Sequence, residues 1–157
     1  MSFTDRQREI LEASIEIIAR QGIQELTMKR LADRIGVSEP ALYRHFESKL
    51  AILVALLEYY ADWSEKTLAE ISQSKLSAPE KIVEIFREHT KRFAEAPATS
   101  GILFAEEIFK NEPALANTMI RIMGTAERHL TSILEEGIKK SEFRSDLPLE
   151  HLAVATM

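Results

Sequence analysis

The chain has no cysteine among its 157 residues. That absence removes disulfide frameworks, thiolate nucleophiles, iron–sulfur clusters and every cysteine-bearing zinc site. Glycine and proline are scarce, five of each, about half their usual share. Neither Asn-Gly nor Asp-Gly occurs, so hairpin turns lack their strongest signal and helices meet few breakers. No apolar run approaches the roughly 18 residues of a bilayer span. The opening Met1-Ser2-Phe3-Thr4-Asp5 turns charged too early for a secretion signal. A cytoplasmic protein with no membrane association is the expectation.

What is present is ordinary for a globular chain: 45% hydrophobic and 29% charged residues. The length fits one domain, or a small module fused to a larger one. The net charge of −5 argues against nucleic-acid binding until its distribution is considered. Residues 1–50 hold eight Lys/Arg and eight Asp/Glu, so the whole deficit lies in residues 51–157. From Thr27 to Lys49 the balance is five basic to three acidic, with His45 in addition. A locally positive patch on an acidic body is compatible with phosphate binding.

Periodicity predicts helices almost throughout. The first runs from Asp5 to Gln21, with Ile10, Leu11, Ser14, Ile17 and Ile18 on one face and Gly22 after its end. Thr27 caps a second, with Leu31, Ala32 and Ile35 inward, and Gly36 ends it. Ser38 caps a third through Phe46, where Pro40 is tolerated because the first turn has no internal N–H bonds to lose. Two short helices around a glycine turn form a helix-turn-helix. Ser48 caps a long fourth helix of about 25 residues, a rod of roughly 37 Å. Ser77-Ala78-Pro79-Glu80 is a capping box opening a fifth, with Ile82, Ile85, Phe86, His89 and Phe93 on one face, and Pro97 stops it. A sixth is expected from about Gly101 to Lys110 and a seventh from Pro113 to about Lys139. The seventh carries the stripe Leu115, Met119, Ile122, Met123, Ala126, Leu130, Ile133 and Leu134. An eighth is expected to begin at Pro148, and the chain stops in the uncapped apolar segment before Met157.

The stretch Thr27-Met28-Lys29-Arg30-Leu31-Ala32-Asp33-Arg34-Ile35-Gly36-Val37-Ser38, with Ala41-Leu42-Tyr43-Arg44-His45-Phe46 and Ser48-Lys49, resembles the DNA-binding module of the TetR family of transcriptional regulators. The likeness covers roughly the first 60 residues and joins helix caps, a turn glycine, core positions and polar positions in one pattern. It implies an all-α protein: an N-terminal three-helix helix-turn-helix domain, residues 1–47, joined by a long helix to a C-terminal helical ligand-binding and dimerisation domain, residues 48–157. The last two helices of such a domain build most of the dimer interface in the family, and here they are expected to be missing.

The residues themselves suit that task. A helix-turn-helix lays its second helix in the major groove while neighbouring groups grip phosphate. Thr27 offers a hydroxyl at a helix N-terminus, with Lys29 and Arg30 in the same turn. Tyr43 and His45 supply an O–H and an N–H, and Lys49 a point charge. The resemblance implies backbone contacts at Thr27, Tyr43, His45 and Lys49. The candidates for base reading are Ser38, Glu39, Pro40, Ala41 and Arg44. Glu39 can accept from cytosine N4, Pro40 and Ala41 can touch a thymine methyl, and Arg44 suits guanine or phosphate equally.

No catalytic or metal constellation is present. His-Glu-x-x-His, Gly-x-Ser-x-Gly and the phosphate-loop pattern do not occur, and His129 and His151 have no Glu or His partner at helical spacing. Neither an enzyme nor a cofactor or metal is expected. Trp63, Phe86, His89, Phe93, Phe104, Ile108, Met119 and Met123 are the candidate lining of a ligand pocket, although core packing accounts for most such residues. The expectation is an effector-controlled repressor, cytoplasmic, binding a palindromic double-stranded DNA operator as a homodimer and responding to a small apolar or amphipathic effector. The alternative is a DNA-bound scaffold that recruits a protein partner without an effector.

Overall fold

A computed structural model describes residues 3–103 and 112–146. These residues form seven α-helices and no strand: α1 (Asp5–Gln21), α2 (Met28–Ile35), α3 (Glu39–Tyr43), α4 (Lys49–Gln73), α5 (Ala78–Glu95), α6 (Pro97–Leu103) and α7 (Pro113–Lys139). A single 3-10 turn, Ile23–Glu25, precedes α2. The chain divides into two compact units, Met1–Tyr60 with Phe93–Met119, and Ala61–Arg92 with Ile120–Met157.

In the first unit, α1 begins in a full capping box. The Thr4 hydroxyl accepts from the Gln7 N–H at 3.2 Å, and the Gln7 amide oxygen accepts from the Thr4 N–H at 3.0 Å. Its buried face is the expected Ile10, Leu11, Ser14, Ile17 and Ile18, joined by Ala13. Ser14 is a polar member of that face and satisfies itself on the Ile10 carbonyl at 2.7 Å. α1 packs against the 3-10 turn, α2 and α6. The turn drives Leu26 into the core, which the sequence periodicity does not signal. Thr27 caps α2 by accepting from the Arg30 N–H at 3.2 Å. Gly36 closes α2 at φ +71°, in the left-handed region where a side chain would be strained.

α3 is shorter than the pattern predicts. It ends at Tyr43 and passes into turns at Arg44 and His45. The His45 and Phe46 N–H groups both turn back to the Leu42 carbonyl, at 2.9 and 3.2 Å. Leu42 and Phe46 are nevertheless both buried, so the residues between them project outward. Pro97 does more than stop α5: it opens α6, because a proline without an N–H is as good at the head of a helix as it is bad in the middle. The sixth helix therefore begins four residues before the predicted Gly101. Its predicted continuation to Lys110, and the eighth helix at Pro148, lie outside the described residues.

The second unit has a core of Leu68, Ile71, Ala78, Ile85, Leu130 and Ile133, flanked by Ile82, Ala126 and Phe143. One half of the Ser77–Glu80 box forms, with Glu80 accepting from the Ser77 N–H and hydroxyl at 2.8 and 2.7 Å. Those bonds hold the Glu80 carboxyl below its usual range. After α7 the chain folds back so that the Phe143 ring lies over Gly137. A Cβ on Gly137 would meet that ring at 2.2 Å. Glu142, in the same return, accepts from the Ala78 N–H at 2.8 Å and caps the start of α5.

Candidate nucleic-acid interface

The exposed side of the helix-turn-helix follows from which residues its core claims. With Met28, Leu31, Ala32, Leu42 and Phe46 buried, α2 and α3 pack together and leave the polar candidates outside. Thr27, Lys29, Arg30, Ser38, Pro40, Tyr43, Arg44 and His45 are exposed, and Glu39, Ala41 and Lys49 partly so. Thr27 and Ser38 each accept a helix N–H, Ser38 from Ala41 at 3.4 Å. Each hydroxyl keeps its own proton for an outside acceptor.

Charge pairing divides the module. Several cations are matched, Arg6 with Glu9, Arg8 with Asp5 and Arg34 with Glu16, whereas among the described residues Arg20 on α1 has no ion pair. The Arg34 guanidinium, by hydrogen bond and charge, holds the Glu16 carboxyl below its ordinary value. Among the described residues, the side chains of Lys29, Tyr43, Arg44 and His45 make no hydrogen bond or ion pair. Two residues depart from the expected picture of free phosphate ligands. Arg30 turns back to pair with Glu25 and to donate to Gln21 at 3.0 Å. Lys49 donates from Nζ to the Ile23 carbonyl at 3.0 Å, and burial lowers its pKa. An open groove of about 390 Å³ runs over Ile17, Gln21, Arg30, Asp33 and Arg34, and its arginines are the carboxylate-matched ones.

The pocket candidates divide. In the second unit, Trp63 and His89 meet edge to face at 5.1 Å between ring centroids, and the Arg92 guanidinium lies 5.5 Å from the Trp63 ring centre. His89 places Nδ1 2.9 Å from the Ile85 carbonyl, so that nitrogen carries the proton. Nε2 is left to accept from the Ser64 hydroxyl at 3.4 Å. Burial pushes the His89 pKa down, with the Ile85 bond and the Glu88 charge opposing. In the first unit, Phe93 stacks on Tyr60 at 6.0 Å, and Met119 is half-buried. Phe86 and Met123 are each 49% exposed rather than turned inward with their stripes. Each stands about 100° around its helix from a buried isoleucine, Ile85 or Ile122. Phe104 and Ile108 lie outside the described residues.

An all-helical chain, with a capped two-helix module presenting unpaired donors, defines a helix-turn-helix DNA-binding regulator. Comparison with known proteins agrees. Residues 10–56 match the family described as bacterial regulatory proteins, tetR family. The nucleoid occlusion factor SlmA of Photobacterium profundum is 27% identical over 140 residues, covering 85% of this chain and 68% of that one. The HTH-type transcriptional repressor KstR2 of Mycolicibacterium smegmatis is 23% identical, covering 92% of this chain and 71% of its own length. The structure of the fatty acid degradation regulator FadR from Bacillus halodurans superposes with a TM-score of 0.83 at 18% identity, over 99% of this chain and 80% of that one. Residues 10–56 are thus a TetR-family DNA-binding module, and the chain as a whole is similar to TetR-family transcriptional regulators. Among the described residues, no helix is long and apolar enough to cross a membrane.

Proposed function

We propose that the chain is a repressor that binds a near-palindromic operator as a homodimer and is released by a small apolar or amphipathic effector. The observation that carries the DNA-facing part is the cluster of exposed donors without partners, Lys29, Tyr43, Arg44 and His45, on a module where Arg6, Arg8, Arg30 and Arg34 are carboxylate-matched. Thr27, Lys29, Tyr43 and His45 grip phosphate, with Arg30 at the edge, while Lys49 at the head of α4 is held on the Ile23 carbonyl. Ser38, Glu39, Pro40, Ala41 and Arg44 meet base edges. Residues 1–47 act as the DNA-binding domain and 48–157 as the regulatory and dimerisation domain. Two recognition helices about 34 Å apart would match one turn of duplex. Likeness to a repressor and to a fatty acid degradation regulator supports repression and an apolar effector. Such an effector needs about 5.5 kcal/mol of differential affinity to move the protein from almost wholly competent to almost wholly incompetent.

The test is selection from a random-sequence DNA pool, followed by measurement of mass bound per duplex. A palindromic consensus carrying two chains, released by a fatty-acid-like compound, is the expected result. Unselective enrichment would contradict operator recognition.

A second reading has its own support. The chain resembles a nucleoid occlusion factor, and its second unit exposes Val83, Phe86, Ile120 and Met123, residues suited to meeting a protein. A DNA-bound scaffold would give the same consensus, but no small apolar compound would release it.

A further inference from the structure

Lys49 is the first residue of α4, where a positive charge meets the positive end of the helix and is disfavoured. The structure shows what offsets that cost. Its ammonium sits 3.0 Å from the carbonyl of Ile23, 26 residues earlier in the chain. That carbonyl also accepts from the Leu26 N–H at 3.3 Å, so both of its lone pairs are engaged. The Ile23–Glu25 turn has no side-chain cap of its own. It leads through buried Leu26 directly into Thr27, the cap of α2. Beside the Arg30–Glu25 pair, which ties the turn to α2, Lys49 is thus the side chain that ties this segment to the head of α4.

We propose that Lys49 is a positioning residue for DNA binding: held on the Ile23 carbonyl, it sets the turn that presents the Thr27 hydroxyl and the head of α2 to a backbone phosphate. This rests on the DNA-binding reading above, and it differs from the simpler idea that Lys49 is a point charge on the duplex. A point charge releases counterions, so removing it lowers the salt dependence of binding by about one phosphate. A positioning group acts through neutral donors, so removing it weakens binding and leaves the salt dependence in place.

The experiment compares the full chain with Lys49→Met, Thr27→Ala and the double variant on the duplex enriched from the random pool. Affinity is followed through a salt series, with amide hydrogen exchange measured on each protein without DNA. The expected result for Lys49→Met is roughly tenfold weaker binding, the equivalent of one hydrogen bond, at unchanged salt slope. In the Thr27→Ala background the same change should cost less than about twofold. Without DNA, exchange at the amides of Glu25 and Leu26 should quicken while that of Leu53 and Leu57 does not, which separates release of the turn from general unfolding. A salt slope lower by about one, additivity with Thr27→Ala and unchanged exchange would together overturn the proposal. If the unsubstituted chain enriches no duplex, the DNA-binding reading fails, and the exchange measurement alone still decides whether Lys49 fastens the turn.

Discussion

The ammonium of Lys81 on α5 lies 2.7 Å from a carboxylate oxygen of Glu136 on α7, with the lysine side chain only 3% exposed. The same ammonium donates to the Ser72 carbonyl near the end of α4 at 2.9 Å. One buried cation therefore joins three helices of the second unit. Glu136 is also held by Lys140 from the next turn, at 2.6 Å. These two lysines, Lys140 first, draw its pKa down to about 2.

Removing the lysine leaves the Ser72 carbonyl without its donor and the buried stem without its packing. Lys81→Ala is expected to cost about 3 kcal/mol, and Lys81→Met, which keeps the stem, about half of that. Denaturant unfolding of both variants checks the order. The acid dependence has a definite sign. Because Glu136 binds its proton less readily folded than unfolded, its contribution is complete above the ordinary carboxylate range, about pH 4.5, and is lost as pH falls towards 2. Glu136→Gln should flatten the stability profile in that window, and an unchanged profile would remove Glu136 from the account.

Gly137 is required by contact rather than by backbone angle. A methyl group there would meet the Phe143 ring at 2.2 Å and the Ala78 side chain at 2.8 Å. Gly137→Ala should destabilise by about 1–3 kcal/mol. In a Phe143→Ala background the penalty should shrink but persist, because Ala78 remains. Thermal unfolding of the four proteins closes the cycle.

His89 is kept neutral by burial, its proton on Nδ1 towards Ile85. An unfolded chain takes up the proton more readily than the folded one. Stability should therefore fall as pH drops through about 6.5, the unperturbed value. His89→Phe should lose that component of the pH dependence between about pH 7 and 5. A melting series at steps across this range tests it directly.

Lys29 and Arg30 are neighbours with different surroundings. Lys29 has no partner among the described residues, whereas Arg30 is paired with Glu25 and bonded to Gln21. Lys29→Ala is expected to lower the salt slope of DNA binding by about one, and Arg30→Ala by clearly less. Equal slopes for the two variants would mean that the Glu25 pairing does not persist on DNA.

Features that belong to a few consecutive residues could be read from sequence. The caps at Thr27, Ser38 and Ser48, the Glu80 contact with Ser77, the glycine after α2 and the buried stripe of α1 are all local patterns. Bounds agree for α1 and α7. Partnerships between distant residues could not be read in this way. Nothing near Lys49 points to Ile23, nothing near Lys81 points to Glu136, and the return of Phe143 over Gly137 follows from no pattern in either segment. The end of α3 and the start of α6 were misplaced for a related reason. Both depend on whether a turn continues or restarts a helix, and the same residues allow either. Phe86 and Met123 show the limit of a stripe: a helix face is about 100° wide, and residues at its margin go inward or outward according to what packs beside them.

The most direct test of the central claim is fluorescence anisotropy of the full chain on the enriched duplex and on a shuffled one, across a salt series. Binding that is at least about a thousandfold tighter to the enriched duplex, with a steep salt slope on both, is the predicted result. Equal, weak binding to the two duplexes would contradict a sequence-specific regulator and leave only a non-specific hold on DNA.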